Sequence, residues 1–207
     1  MADVFSIAFE PAMGDLPDMG DLPAMAERPE QLHADWIETP VGPMLAVGDR
    51  THLHLLEFHD RRALPTEMES LKRKTRSGVA SGRTPPIDQI FAELAAYFAG
   101  ELTEFRTPLA LHGSELERAV WAKLLEIPLG ETRSYGDIAR EVATMEAVRA
   151  VARANGTNQI AIVIPCHRCI GSDGSLTGYG GGLWRKRWLL GHESKMKPVG
   201  LFAKDWT

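Results

Sequence analysis

The apolar run Ile160-Ala-Ile-Val-Ile164, closed by Pro165, constrains this chain more than any other stretch of it. Five consecutive apolar residues, four of them β-branched, predict a strand buried on both faces. Pro165 ends it, because the ring fixes φ and there is no N–H to give to a ladder. A fold that accommodates the run must bury it and deliver Cys166 and His167 at its end, before the turn sequence Gly171-Ser-Asp-Gly174. A cysteine presented there with a histidine beside it is a candidate nucleophile.

The 207 residues suffice for one ordinary domain or two small ones. Residues 1–34 repeat Met-Gly-Asp-Leu-Pro at Met13 and Met19 and carry seven acids against one arginine, the composition of a disordered tail. From Ala34 the pattern is that of strands. Trp36-Ile37, residues 44–47 and residues 52–58, separated by Pro40-Val-Gly-Pro43 and Gly48-Asp49, predict an antiparallel meander. Residues 60–83 are basic and predict one short helix, near 67–74, and a loose loop. Pro85-Pro86 opens a helix with Ile87, Ile90, Phe91, Leu94 and Phe98 on one face, stopped at Gly100.

Beyond a linker at 101–113 the chain reads as helical. Ser114-x-x-Glu117 is a capping box ahead of Leu116, Ala119, Val120, Leu124 and Ile127. Ser134-x-x-Asp137 repeats the device ahead of Tyr135, Ile138, Ala139 and Val142. A break at Ala143-Thr144 leads to a third helix over 145–155, and the pair predicts a helix-turn-helix. On that third helix Val148, Val151 and Ala152 are expected inside, with Glu146, Arg149, Ala150 and Arg153 outside. Such a slim arginine face suits a narrow DNA groove, or is an ordinary solvated surface. The glycine-rich segment 171–182, with Tyr179 in it, lets backbone approach a ligand closely. Residues 183–190 predict a last helix ending near Gly191-His192-Glu193, followed by a tail.

Charge adds a direction. Residues 1–132 hold 12 of the 23 Lys+Arg and 22 of the 28 Asp+Glu, a balance of −10, and residues 133–207 hold the other 11 and 6, a balance of +5. A basic C-terminal part on an acidic chain suits an anionic partner, nucleic acid first. No window approaches the roughly 18 apolar residues of a membrane span, and the first residues lack the basic and apolar parts of a secretory signal. Cys166 and Cys169 are too few to staple a secreted scaffold. The expectation is a cytoplasmic protein, nuclear if eukaryotic.

Four chemistries compete for Cys166. Cys166-His-Arg-Cys169 matches the C-x-x-C of redox proteins, although those place the first cysteine at a helix N-terminus and here a glycine turn follows. Zinc would need Cys166, Cys169, His167 and a distant histidine such as His52 or His54, with no second C-x-x-C to help. An inert buried thiol fits Cys169 better than Cys166. The fourth is a thiolate nucleophile served by a base that a carboxylate orients. His167 is the nearest base and Glu193 a plausible orienter. Adjacent residues on an extended strand point opposite ways, so a bridging water is the expected route from Cys166 to His167.

Ile164-Pro-Cys-His-Arg168 resembles the active-site signature of the O6-alkylguanine-DNA alkyltransferases, the methylated-DNA–protein-cysteine S-methyltransferases. The resemblance runs in order through Thr39-Pro-Val-Gly-Pro43, Val120-Trp121, Ile127-Pro-Leu-Gly-Glu-Thr-Arg-Ser-Tyr135, Arg149-Ala-Val151, Asn158, Gly178-Tyr179 and Leu189-Leu-Gly-His-Glu193. It implies an α+β fold in two domains, between a tail at 1–34 and another at 196–207. The first, 35–110, is a small ribonuclease-H-like domain on an antiparallel sheet. The second, 111–195, is mostly helical, with the helix-turn-helix.

The implied activity is single-turnover, cofactor-free and metal-free transfer of the alkyl group from O6-alkylguanine in DNA, with O4-alkylthymine as a further candidate substrate, to Cys166. A monomer would bind double-stranded DNA through the minor groove and flip the lesion out, with no membrane partner. His167 would act as base through a water, Glu193 would orient it, and Asn158 would brace the turn. Tyr135 would rotate the nucleotide and protonate the leaving guanine, and Arg149 would fill the vacated stack. Ala150, Arg153 and Ser134 would join Arg149 and Tyr135 against DNA. Lys186, Tyr179, Gly181, the backbone amide of Gly180 and the carbonyls of Cys166 and Cys169 would meet the base.

Cys169 in place of the usual valine, Gln159 after Asn158, and Gly178 and Gly180 around Tyr179 depart from the family pattern. The alternative function is a lesion-binding protein that flags alkylated bases without transfer.

Overall fold

The computed structural model describes residues 31–142 and 147–196. The Met-Gly-Asp-Leu-Pro repeat, the break at Ala143-Thr144, the first residues of the third helix with Glu146, and the chain beyond 196 lie outside them.

Strands β1 (Leu32–Ile37), β2 (Met44–Gly48) and β3 (Leu53–Phe58) form the expected antiparallel meander, with Ile37 opposite Met44 and Met44 opposite Phe58. β1 begins at Leu32, inside the span expected to be tail. A fourth strand, β4 (Val79–Ser81), pairs parallel to β1 and completes the order β3-β2-β1-β4. Three residues are too few to show a period, so β4 has no sequence signal of its own. The crossover to it is helix α1 (Leu64–Thr75), longer than the expected 67–74.

The sheet is covered on both faces, and the alternation of side chains sorts the two cores. Met44, Ala46, Leu56 and Phe58 face the main core, where helix α2 (Pro85–Phe98) supplies Ile87, Ile90 and Leu94. Leu45, Val47 and Leu55 face a smaller core with Leu64 and Leu71 of α1. Each such side chain, fully buried, stabilises the fold by about 1.5–3 kcal/mol.

Helix α3 (Glu115–Leu125) opens on the predicted capping box: the Ser114 hydroxyl accepts from the Glu117 amide, and Glu117 accepts from the Ser114 amide at 2.7 Å. Helices α4 (Tyr135–Val142) and α5 (Val148–Gly156) pack on it as the helix-turn-helix. Trp121 of α3 donates its indole N–H to the Ala154 carbonyl of α5 at 2.8 Å. At the start of α4, Ser134 and Asp137 cap one another through two backbone amides.

Two expectations need correction. Residues 160–164 are not a strand. Ile160 makes one isolated bridge to Leu56 at the free edge of β3, and the chain then coils, with Ile162 at φ 71°. The run is as buried as expected, every residue 6% exposed or less. Beyond the Ala161 amide, which donates to the Leu56 carbonyl, its polar groups are met locally: the Ile164 amide bonds the Ile160 carbonyl, and Asn158 takes the Ile160 amide and the Ile164 carbonyl. Apolar composition fixes burial; here side-chain bonds from Asn158 decide the conformation.

The last helix, α6 (Leu183–Met196), runs through Gly191 rather than ending there. Lys186, Leu190 and Glu193 share its buried face, and that packing outweighs the roughly 1 kcal/mol that a helical glycine costs. No helix among the described residues is long and apolar enough to cross a membrane.

Candidate active site

Asn158 is the pivot of the site. Its Nδ2 lies 2.9 Å from the Ile164 carbonyl and 3.1 Å from Cys166 Sγ, while its Oδ1 accepts from the Ile160 amide at 3.0 Å. The turn so braced ends at Pro165, and Cys166 opens a single 3-10 turn, Cys166–Arg168. That turn gives way to a two-residue strand, β6 (Cys169–Ile170), which pairs parallel to β5 (Arg133–Ser134). The pairing carries Tyr135, the next residue after β5, to the cysteine.

Cys166 is buried and so is Cys169, and neither is in a disulfide. Burial pushes the Cys166 thiol up to about 11, while the Asn158 bond and the charges of Arg61 and Lys186 pull the other way. Almost none of it is thiolate at neutral pH, and a base is required.

His167 and Glu193 are both closed to solvent, with His167 Nε2 2.8 Å from Glu193 Oε1. Burial alone would raise the Glu193 carboxyl, but His167 and Arg168 outweigh it and hold Glu193 below the usual carboxylate range. Arg168 grips both oxygens, Nε on Oε2 at 2.9 Å and Nη2 on Oε1 at 3.0 Å, and the Tyr97 hydroxyl donates to Oε1 at 2.9 Å. An ionised carboxylate only accepts, so His167 carries its proton on Nε2 and keeps a lone pair on Nδ1. Burial lowers the histidine below its ordinary value, which keeps it neutral, and Nδ1 has no protein partner. A base with a free nitrogen, a fixed tautomer and a compensated counter-charge stands next in sequence to the thiol.

In front of Cys166 lies a cavity of about 430 Å³. Val148, Arg149 and Ala152 of α5 form one wall, and the glycine-rich loop with Tyr179 forms the other. The Tyr135 hydroxyl reaches toward the Thr177 and Gly178 carbonyls at 3.4 and 3.5 Å, and burial with the two thiols nearby raises its pKa. Lys186 is wholly buried, and its ammonium donates to the Cys169 and Thr177 carbonyls, binding loop to strand. The Tyr179 hydroxyl is buried and unpartnered. Gly180 and Gly181 are required by contact: a Cβ at Gly180 would lie 2.2 Å from Arg61 Nη1, and one at Gly181 2.6 Å from the Phe58 ring.

Of the sequence candidates, Cys166, His167, Asn158, Glu193, Tyr135, Lys186, Cys169, Tyr179 and Gly180 thus gather around one centre. Arg149 is exposed at the mouth of the cavity, Arg153 is exposed on the same helix, and Ala150 is half-buried there. Ser134 is occupied as the cap of α4. Val148 packs against the core as expected and also lines the cavity, Ala152 lines the cavity, and Ala154 and Asn155 join Val151 in the buried face. His54 bonds Asp49 and His112 at 2.8 Å each, and among the described residues no His/Cys/Asp/Glu group is arranged to hold a metal.

Sequence reasoning missed Arg61. It is held by Glu57 at 3.1 Å and Glu67 at 2.8 Å, donates to the Gly156 carbonyl at 2.9 Å and lines the cavity. The available signal was Glu57, a lone charge in an otherwise apolar strand. Tyr97 was missed too, and Arg168 stood in the signature without a task.

Comparison with known proteins points to one family. The family description "6-O-methylguanine DNA methyltransferase, ribonuclease-like domain" matches residues 32–111, and the DNA binding domain of the same family matches 115–195. The chain is 45% identical over 174 residues to the methylated-DNA–protein-cysteine methyltransferase of Mycobacterium tuberculosis, across 84% of this chain and 99% of that one. To the protein of that name from Methanosarcina barkeri it is 41% identical over 162 residues, 77% and 95%. The crystal structure of the M. tuberculosis O6-methylguanine methyltransferase superposes with a TM-score of 0.69 at 43% identity, covering 83% of this chain and 98% of that one. The structure of the M. tuberculosis protein in complex with DNA also gives 0.69, at 42% identity, 81% and 96%.

Proposed function

The chain belongs to the 6-O-methylguanine DNA methyltransferase family, and we propose that it repairs DNA directly by moving the alkyl group of O6-alkylguanine onto Cys166 Sγ, once per molecule. The observation that carries the reading is Cys166 at the floor of a base-sized cavity with Asn158 on its sulfur and the His167–Glu193 pair behind it.

His167 Nδ1 takes the thiol proton through one water, and the resulting imidazolium is stabilised by Glu193. The thiolate attacks the alkyl carbon in line, the S–C bond forms as the C–O6 bond breaks, and the electron pair leaves with the guanine. Tyr135, kept protonated by its raised pKa, gives the departing base a proton.

The base reaches this cavity only out of the stack, at a cost of a few kcal/mol that weakened pairing of the lesion reduces. Arg149 at the cavity mouth fills the gap from the minor groove, with Ala150, Arg153 and Ser134 alongside the strands. Carbonyls of Cys166 and Cys169 and the amides of Gly180 and Gly181 meet the base edge, and Tyr179 closes over it. The division of labour is between a unit at 35–110, which buttresses the pocket through Arg61, and one at 111–195, which binds DNA and carries the chemistry. The protein acts as a monomer.

A protein that only flags lesions would leave Cys166 and the His167–Glu193 pair without a task. The test is intact mass after exposure to a duplex oligonucleotide containing O6-methylguanine. A gain of one methyl group is expected; binding with no gain in mass would reject transfer.

A further inference from the structure

We propose that Cys169 is a resolving thiol for Cys166: with a peroxide, the two close a reversible disulfide that masks the alkyl acceptor until a dithiol reductant reopens it.

The first ground is the turn. Cys166 opens the 3-10 turn and the Cys169 amide donates to the Cys166 carbonyl, so one hydrogen-bonded turn separates the two. Such a turn holds its end Cα atoms within about 7 Å, and disulfides span about 4.4–6.8 Å. In 3-10 geometry side chains three apart eclipse, which sets the two sulfurs on one side.

Shared surroundings are the second ground. Lys186 donates to the Cys169 carbonyl and lies 5.8 Å from the centre of the Tyr135 ring, and Tyr135 lines the cavity together with Cys166.

The third is access. Cys166 lines the cavity, whereas Cys169 is fully buried behind it. A molecule as small as hydrogen peroxide therefore meets Cys166 first, where Asn158 and His167 already serve its deprotonation.

The chemistry balances in two steps. Cys166 sulfur attacks one peroxide oxygen, the O–O bond breaks, and Cys166 sulfenic acid and one water result. The Cys169 sulfur then attacks the Cys166 sulfur, the S–O bond breaks, and the disulfide and a second water form. Two thiols lose two electrons and two protons, and the peroxide is reduced. Without a second thiol the sulfenic acid meets further peroxide and becomes sulfinic acid, which is not recovered. In a protein spent by one alkyl transfer, Cys169 turns one kind of irreversible loss into a reversible one. Transient disulfides of this sort are compatible with a reducing compartment.

The effect on repair rests on Cys166 being the alkyl acceptor; the disulfide itself does not. The full chain, reduced and then treated with hydrogen peroxide, is read by intact mass and by methyl transfer referenced to each protein's own untreated sample. The expected result is a loss of two hydrogens, a cross-linked peptide joining Cys166 to Cys169, and transfer that falls at least tenfold and returns with dithiothreitol. Cys169→Val and Cys169→Ser should instead gain oxygen and stay inactive after dithiothreitol. Equal recovery in the parent and both variants, or oxygen gain in the parent, would overturn the proposal. If untreated protein transfers nothing, the repair reading fails while the mass still decides the disulfide.

Discussion

Glu193 Oε1 receives both the His167 imidazole and the Tyr97 hydroxyl, which brings the end of α2 and the cysteine turn onto one buried carboxylate oxygen. With Arg168 supplying the counter-charge, the histidine can stay neutral and serve as a base. Glu193→Gln keeps the shape and removes the charge. We expect single-turnover transfer to slow by roughly 10²–10⁴-fold, the usual worth of a positioned base. Denaturant unfolding should show a loss of about 3 kcal/mol, because Arg168 is left uncompensated in the interior. Unchanged transfer would remove Glu193 from the mechanism.

Glu57 gives a pH signature. It is fully buried and desolvation lifts it from 4.5 to about 8, against the pull of Arg61 and Arg185 and with Glu67 adding to the rise. Below 4.5 folded and unfolded chains both hold this proton. Between 4.5 and 8 only the folded chain does, so stability falls as pH rises and levels off above 8. The unfolding free energy should drop by a few kcal/mol over that window, and Glu57→Gln should flatten the slope. A parent and variant with parallel curves would contradict it.

The Gly180 contact predicts a rescue. Arg61 Nη1 stands where a Cβ would go, and two hydrogen bonds to Glu67, with the Glu57 carboxyl group 3.1 Å away, keep the guanidinium in place. Gly180→Ala should therefore slow transfer about tenfold or more by displacing the loop, a misplacement of the kind that costs up to about 10² in rate. Adding Arg61→Ala should restore part of the loss. Strictly additive effects would mean that the two residues do not collide.

Arg149 lines the cavity and is exposed to solvent. Arg149→Ala should slow repair in duplex DNA by about tenfold or more, the cost of holding open an unstacked step worth a few kcal/mol. Reaction with free O6-benzylguanine, which needs no flipping, should hardly change. Equal losses on both substrates would place Arg149 in the chemistry instead.

The helices were readable in the sequence because their signals are local. Ser114 with Glu117 and Ser134 with Asp137 announce two starts, and periodic apolar residues mark the buried faces. The meander was readable from its turns. What stayed hidden depends on contacts distant in sequence. β4 exists only because β1 offers an edge, and the pairing of β5 with β6 joins residues 36 apart. Residues 160–164 look like a strand by composition, and only the bonds of Asn158 make them a turn. Cys166, His167 and Glu193 were named from their motif, but the carboxylate's other partners, Tyr97 and Arg168, emerge from packing. Arg61 lies more than a hundred residues before the cysteine whose pocket it lines.

The central claim is that Cys166 accepts the alkyl group, once. Excess duplex carrying O6-methylguanine with a labelled methyl group should leave one label per protein molecule, all of it on the peptide containing Cys166, and Cys166→Ala should accept none. Label on any other residue, transfer by Cys166→Ala, or more than one methyl removed per molecule would contradict the account.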